Sequence, residues 1–245
     1  DVPQSTPKIC IDGTVGQQDA TRVDDNGFCD GDQIGLYGVN YTDKNSKRGE
    51  LLNQGNQVDN ARYTYDEANN IWESTGSIYY KDAETNIDLY AYYPYDTPEQ
   101  VNDYQFEVQA DQSEASVSNG FAKSDFLWGI AENIAPTSSK IKIRFSHRLS
   151  CANVILAEGD GFDNGEFDKL DKFVMVSNTK RTASIDLATG VATAVGDVSA
   201  EDIVMHAIDD GYRAIVVPQC IEANTTIYTI TVNGGEFLYI RGGNR

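Results

Sequence analysis

The chain has 245 residues, with 38 acidic side chains against 19 basic ones and a formal charge of −19. That balance argues against a nucleic-acid partner, because no basic footprint exists to displace counterions from phosphates; solubility and mutual repulsion are its ordinary uses. No apolar run reaches the length of about eighteen residues that a membrane helix needs, and the opening DVPQSTPK lacks a signal peptide's apolar core.

The elements read in chain order as strands. Residues 7–16, PKICIDGTVG, predict a short first strand with Ile9 and Ile11 on one face. A polar, acidic loop holding Arg22 follows, and then GDQIGLYGVNY (31–41), in which Ile34, Leu36 and Gly38 alternate against Gln33 and Tyr37. Residues 42–60 carry no fold signal and are expected to be a surface loop. Tyr63–Tyr65 and Ile71–Trp72 flank Glu67–Asn70, a hairpin by composition, since Asn accepts a turn's positive φ.

The next stretch organises the chain. Ile87, Leu89, Ala91 and Tyr93 fall on one face of a strand, and Asp88, Tyr90 and Tyr92 on the other, so one face is expected in a core. Pro94 has no N–H to give a ladder and should end that strand. FEVQADQS (106–113) and SDFLWG (124–129) follow. Pro136 with the Ser/Thr cluster behind it is the best domain boundary, giving units 1–138 and 139–245. Beyond it Ile141, Ile143 and Phe145 alternate with Lys140, Lys142 and Arg144. The pattern resumes at Ala152, Val154 and Leu156, as one long strand bent near His147 that opens the second unit.

Residues 159–171 read as an acidic loop with a helical turn. Strands follow at 173–176, 182–187, 191–195 and 212–217, and a closing hairpin, 226–232 with 236–240, turns around Asn233-Gly234-Gly235. Short strands punctuated by Gly, Pro and Asn predict an all-β chain of two β-sandwiches in series.

Candidate chemistry is sparse. Cys10, Cys29, Cys151 and Cys220 contain no CxxC pair, and His147 and His206 are far apart, so neither a zinc site nor any cofactor is indicated. Three disulfide connectivities are open, with Cys10–Cys29 one local staple. No nucleophile and acid are arranged around His147, and no Gly-x-Ser-x-Gly turn is present, so the chain reads as a non-enzyme. The acidic loops lack the EF-hand pattern and read as solvated turns. With 38 acids, carboxylate pairing says nothing about a glycosidase. Trp72, Tyr90, Tyr92 and Trp128, on predicted exposed faces, are candidate contacts for a glycan or a partner, with cross-strand packing the plainer reading.

Six segments in order, GDQIGLYG, DLYAYYPY, FEVQADQS with SDFLWG, IRFSHRLSCANVIL, ASIDLATG and YRAIVVPQ, resemble the fimbrillin family of Bacteroidales, the subunits of surface fimbriae, over residues 12–239. The resemblance implies two tandem β-sandwich, transthyretin-like domains and a precursor carried through the periplasm to the outer membrane on a lipid anchor. It also implies cleavage after an arginine beyond the first strand, then β-strand addition from another fimbrial subunit. Here the matching residue is Arg22, and the released strand carries Ile9 and Ile11. The family's C-terminal donor extension is not visible after FLYIRGGNR. That departure implies a shortened sequence, or a subunit that accepts a strand without giving one, at the tip or anchor and in reach of a host or bacterial ligand. A surface glycan-binding lipoprotein module is the alternative class.

Overall fold

The computed structural model describes residues 6–16, 27–113, 119–160 and 165–242. Nearly all the regular secondary structure of the described residues is strand, and the chain forms two compact units that interleave along the sequence. The first contains residues 1–104, 126–148 and 185–191; the second contains 105–125, 149–184 and 192–245.

In the first unit lie β1 (Ile11–Val15), β2 (Gln33–Asn40), β3 (Val58–Asp66), β4 (Ile71–Ser74) and β5 (Ile87–Tyr93). After β6 (Tyr104–Glu107) come β7 (Leu127–Ile134) and β8 (Ile141–His147). Seven of these make one sheet in the order β1-β8-β7-β5-β2-β3-β4. All its pairings are antiparallel except β1 on β8, which is parallel from Ile11↔Ile141 to Val15↔Phe145. One face packs Ile9, Ile11, Ile34, Leu36, Leu89, Ala91, Ile143 and Phe145 into a continuous core. Phe28 closes one end of it, with its ring centroid 4.9 Å from Trp72 and 5.1 Å from Phe145.

The opposite face is buried as well. Tyr92 is 1% exposed and stacks near Tyr37 and Phe126, with ring centroids at 6.4 and 6.2 Å, while its hydroxyl donates to Asn60 Oδ1 and Asp96 O. Asp88 and Tyr90 are buried beside it, so β5 is covered on both faces where one wet face was expected. The tip of a later hairpin, residues 185–191, completes this layer: Trp128 Nε1 donates to Leu187 O at 2.8 Å, and Arg148 lies over the Trp128 ring at 4.5 Å. Gly190 has φ +70°, and a Cβ there would stand 2.5 Å from the Trp128 ring, so this turn requires glycine.

The second unit holds β9 (Ser150–Ile155), β10 (Lys172–Val176), β11 (Thr182–Asp186), β12 (Val191–Val195), β13 (Ile203–Val204), β14 (His206–Ile208), β15 (Gly211–Val216), β16 (Thr226–Val232) and β17 (Gly235–Ile240). Its sheets run β13-β10-β16-β17, β12-β11-β6 and β14-β15-β9. A single turn of helix, α1 (Gly120–Lys123), buries Phe121. Three expectations need correction. The boundary at 138/139 does not hold, because β8 joins β1 and β7 in the first sheet. Strands β8 and β9 are not one bent strand but members of different sheets, separated at Arg148 and Leu149. Strand β3 begins at Val58, inside the stretch read as loop.

Burial of the tyrosines carries an alkaline prediction. Burial pushes Tyr37, helped by the Asp59 carboxylate, and Tyr63 up to about 12, and it raises Tyr92 and Tyr104 too. In the unfolded chain these phenols ionise near pH 10. Above that pH the unfolded state has lost protons that the folded state still holds, so folding stability falls as pH rises. Denaturation midpoints are expected to be insensitive to these groups below about pH 10 and to drop between about pH 10 and 12. A flat profile through that window would show that these phenols ionise freely in the fold.

Candidate functional site

The opening segment is tied down from two directions. Residues 7–9 run antiparallel to residues 78–80: Ile9 N donates to Ile78 O at 2.7 Å, and Tyr80 N to Pro7 O at 3.2 Å. From Cys10 onward the segment transfers to β8, where Ile141 N donates to Cys10 O and Gly16 N to Phe145 O, both at 2.8 Å. Tyr63, buried beneath, donates its hydroxyl to Ile9 O.

Side chains alternate as period two demands. Ile9 is fully buried and Ile11 is 2% exposed, Gly13 follows, and Val15 packs against the same core. Each Ile buried to this degree contributes roughly 1.5–3 kcal/mol of transfer free energy. At Gly13 a Cβ would lie 3.1 Å from both Phe145 Cε2 and Trp72 Nε1, tighter than ordinary contact. The Trp72 indole N–H is buried there and has no acceptor among the described residues. A groove of about 380 Å³ runs beside β1, lined by Lys8, Cys10, Ile11, Ile71, Trp72, Glu73, Ser74 and Lys140. The outward residues along this slot are cationic and exposed: Lys140 just before β8, and Lys142 and Arg144 within it.

The site residues named from sequence separate into three groups. Ile9 and Ile11 lie together in the slot. Arg22 lies outside the described residues. Trp72, Tyr90, Tyr92 and Trp128 are 8%, 4%, 1% and 7% exposed, so their rings are core and cannot stack on a sugar. Alternation assigns faces without saying whether anything covers them, and Trp72 belongs to the inner core with Ile11 and Phe145. Gly13 and Trp72 as floor residues of the slot were not foreseen; the Lys140-Lys142-Arg144 alternation was the visible trace of its rim.

Elsewhere, no disulfide joins the four cysteines; Cys29 and Cys220 are exposed, and Cys10 and Cys151 are half-buried. Asp30 and Asp32, from the first acidic loop, accept turn N–H groups from Glu67 and Cys29. His206 packs on Phe121 at 5.3 Å. A polar pocket of about 630 Å³, lined by Tyr41, Asp43, Lys44, Asn45, Lys81 and Glu84 among others, lies beside a turn in which Asp43, Lys44 and Asn45 all have positive φ.

Comparison with known proteins adds three findings. The model of a family described as fimbrillin-like matches residues 21–241. A Bacteroides uniformis protein named as a candidate fimbrium subunit, Fim1C, is 28% identical over 242 residues, covering 96% of this chain and 73% of its own length. Two crystal structures described as candidate cell adhesion proteins share the fold. One, from Bacteroides ovatus, has a TM-score of 0.67 at 15% identity, covering 97% of this chain and 87% of its own. The other, from Bacteroides uniformis, has a TM-score of 0.62 at 21% identity, covering 95% and 84%.

Proposed function

Because this chain belongs to the fimbrillin-like family, we propose that it is a structural and adhesive subunit of a bacterial surface fimbrium, assembled by exchange of its first strand. In this reading a protease cuts after Arg22, the segment around Ile9 and Ile11 leaves, and a β-strand from another fimbrial subunit takes its place. The precursor travels through the periplasm to the outer membrane on a lipid anchor, and the assembled fibre meets a host or bacterial surface ligand.

One observation carries this reading. The segment ends the strand order of its sheet, yet it inserts two buried isoleucines and main-chain bonds to both neighbours. Removing it would expose an apolar slot and unpaired N–H and C=O groups on β8, a state that recruits another strand. A subunit at the tip or anchor of a fibre makes only one of the two exchanges, so its position turns on whether it gives a strand as well as taking one.

Arg22→Ala is expected to leave the chain uncut and monomeric in an assembly assay in which the native chain polymerises after proteolysis. Unchanged polymerisation of the variant would remove Arg22 from the mechanism.

A further inference from the structure

From the floor and rim of the first-strand slot we infer that it selects its occupant twice: for glycine at the third inward position and for acidic residues at the outward ones. The partner that fits is an extended segment of another subunit with a large apolar, large apolar, glycine, β-branched series at alternate positions and carboxylates between them. The inference rests on the strand-exchange reading above and names the partner that this reading leaves open.

The floor argument is steric. Inward positions 9, 11, 13 and 15 hold Ile, Ile, Gly and Val. At the third, Phe145 and Trp72 approach within 3.1 Å of any Cβ. Phe145 is fully buried with Phe28 packed edge-on against it, so that ring has no free space to yield into, and Trp72, which borders the groove, is held by Phe28 and Tyr65 packed on its ring. A strand with a larger residue there overpacks the slot.

The rim argument is electrostatic. In the parallel register Asp12 lies opposite Lys142 and Thr14 opposite Arg144, with Lys140 just before the paired stretch and exposed Lys8 on the segment itself. Glu73 is the acidic member of the groove lining. Three alternating cations on one strand are unusual in a chain with twice as many acids as bases. The native first strand answers them with Asp12 alone, so a donor with acids at both outward positions gains a cross-strand pair that the native strand lacks. The exchange then runs in one direction.

The same rule disfavours a second copy of this chain as donor. Strand β17 is an edge strand exposed along its whole length, with Leu238 57% and Ile240 51% exposed. Its run Leu238-Tyr239-Ile240-Arg241-Gly242 repeats the spacing of Ile9-Cys10-Ile11-Asp12-Gly13 but puts Arg241 where Asp12 meets Lys142. Like charges at that position oppose self-filling.

The test uses the full chain with a site-specific protease sequence around Arg22, cut once, and challenged with labelled ten-residue peptides. The peptide PKICIDGTVG is expected to exchange with the seated strand. Its Thr14→Glu form should bind about threefold tighter at low salt, an advantage lost at high salt. The Asp12→Lys and Gly13→Val forms should bind about tenfold weaker or worse, and EFLYIRGGNR should compete less well than PKICIDGTVG. Equal binding of the Gly13→Val form, no gain from Thr14→Glu, or superior competition by EFLYIRGGNR each overturns the selection rule. If no peptide exchanges, even PKICIDGTVG, it is the strand-release reading that fails. The floor is then tested in the uncut chain, where Gly13→Val should lower the melting temperature and an unchanged value would end the argument.

Discussion

Arg48→Ala is expected to destabilise the first unit by about 2–3 kcal/mol, far more than an ordinary surface ion pair. The reason lies at Asp88. Register is irregular between β5 and β7 there: Ile87 pairs with Ile134 but Leu89 with Ala131, so Glu132 and Asn133 bulge from the ladder. Asn133 takes φ +53°, and its N–H donates to Asp88 Oδ1 at 2.7 Å, a side-chain bond where a ladder bond is missing. That device puts a carboxylate at 0% exposure. Arg48 answers it, with Nε 2.5 Å from Oδ2, while its other arm reaches Glu132 Oε1 at 2.7 Å and its plane lies near the Tyr90 ring.

Truncating Arg48 leaves the buried carboxylate with the Asn133 N–H and the Tyr41 hydroxyl as its protein donors, and breaking a fully buried pair in this way costs roughly 3–5 kcal/mol. Arg48 itself is 45% exposed, so water reaches the broken site and the expected cost is set lower. Asp88→Asn keeps an acceptor for Asn133 and removes the charge, so Arg48→Ala should cost little in that background. A double-mutant cycle by chemical denaturation measures the coupling. A cost for Arg48→Ala below about 0.5 kcal/mol, or the same cost in both backgrounds, would show that solvent already screens Asp88.

Nothing near Arg48 in the sequence announces this role. It stands in a stretch rich in Asn, Gln and Lys with no periodicity, and its partner is forty residues away. What alternation did reveal is where it is strict: Ile141, Ile143 and Phe145 face the core, and Lys140, Lys142 and Arg144 face out. The first strand and the closing hairpin at Asn233-Gly234 were legible for the same reason, since local pattern and turn chemistry suffice for them. Alternation could not say that the far face of the seven-stranded sheet, which carries Tyr37, Tyr92 and Trp128, is itself covered, by Tyr104, Phe126 and the hairpin tip at residues 185–191. Period two distinguishes faces and not their surroundings.

Nor could it say that β8 pairs with a strand about 130 residues earlier in sequence, because a parallel partner leaves no turn signature between the two strands. Pro136 marks a turn inside the first unit and was read as a boundary because turn residues look alike in either place. The slot itself was half legible. Its filler is a local pattern, but its floor is built from Trp72 and Phe145, residues joined only by the fold.

Gln112→Leu is expected to cost about 2–4 kcal/mol in the second unit, and the same exchange at Gln219 only about 1 kcal/mol. Both glutamines act as a missing strand. On β15 the pairing with β14 stops at Arg213, so Ile215 would present a bare N–H and C=O on that edge. The Gln112 amide takes both: Ile215 N donates to Oε1 at 2.8 Å, and Nε2 donates to Ile215 O at 2.9 Å. Gln219 does the same for Lys180, accepting from its N–H and donating to its carbonyl, both at 2.9 Å. The two differ in burial. Gln112 and Ile215 are fully buried, whereas Gln219 is half-buried between exposed Pro218 and Cys220. Leucine matches glutamine in bulk but leaves the two backbone groups unpaired, and only at Ile215 is water kept from replacing the amide. Denaturant midpoints at constant m separate the cases. If Gln219→Leu costs as much as Gln112→Leu, desolvation is not what sets the penalty, and the shared bonding geometry alone would have to account for both.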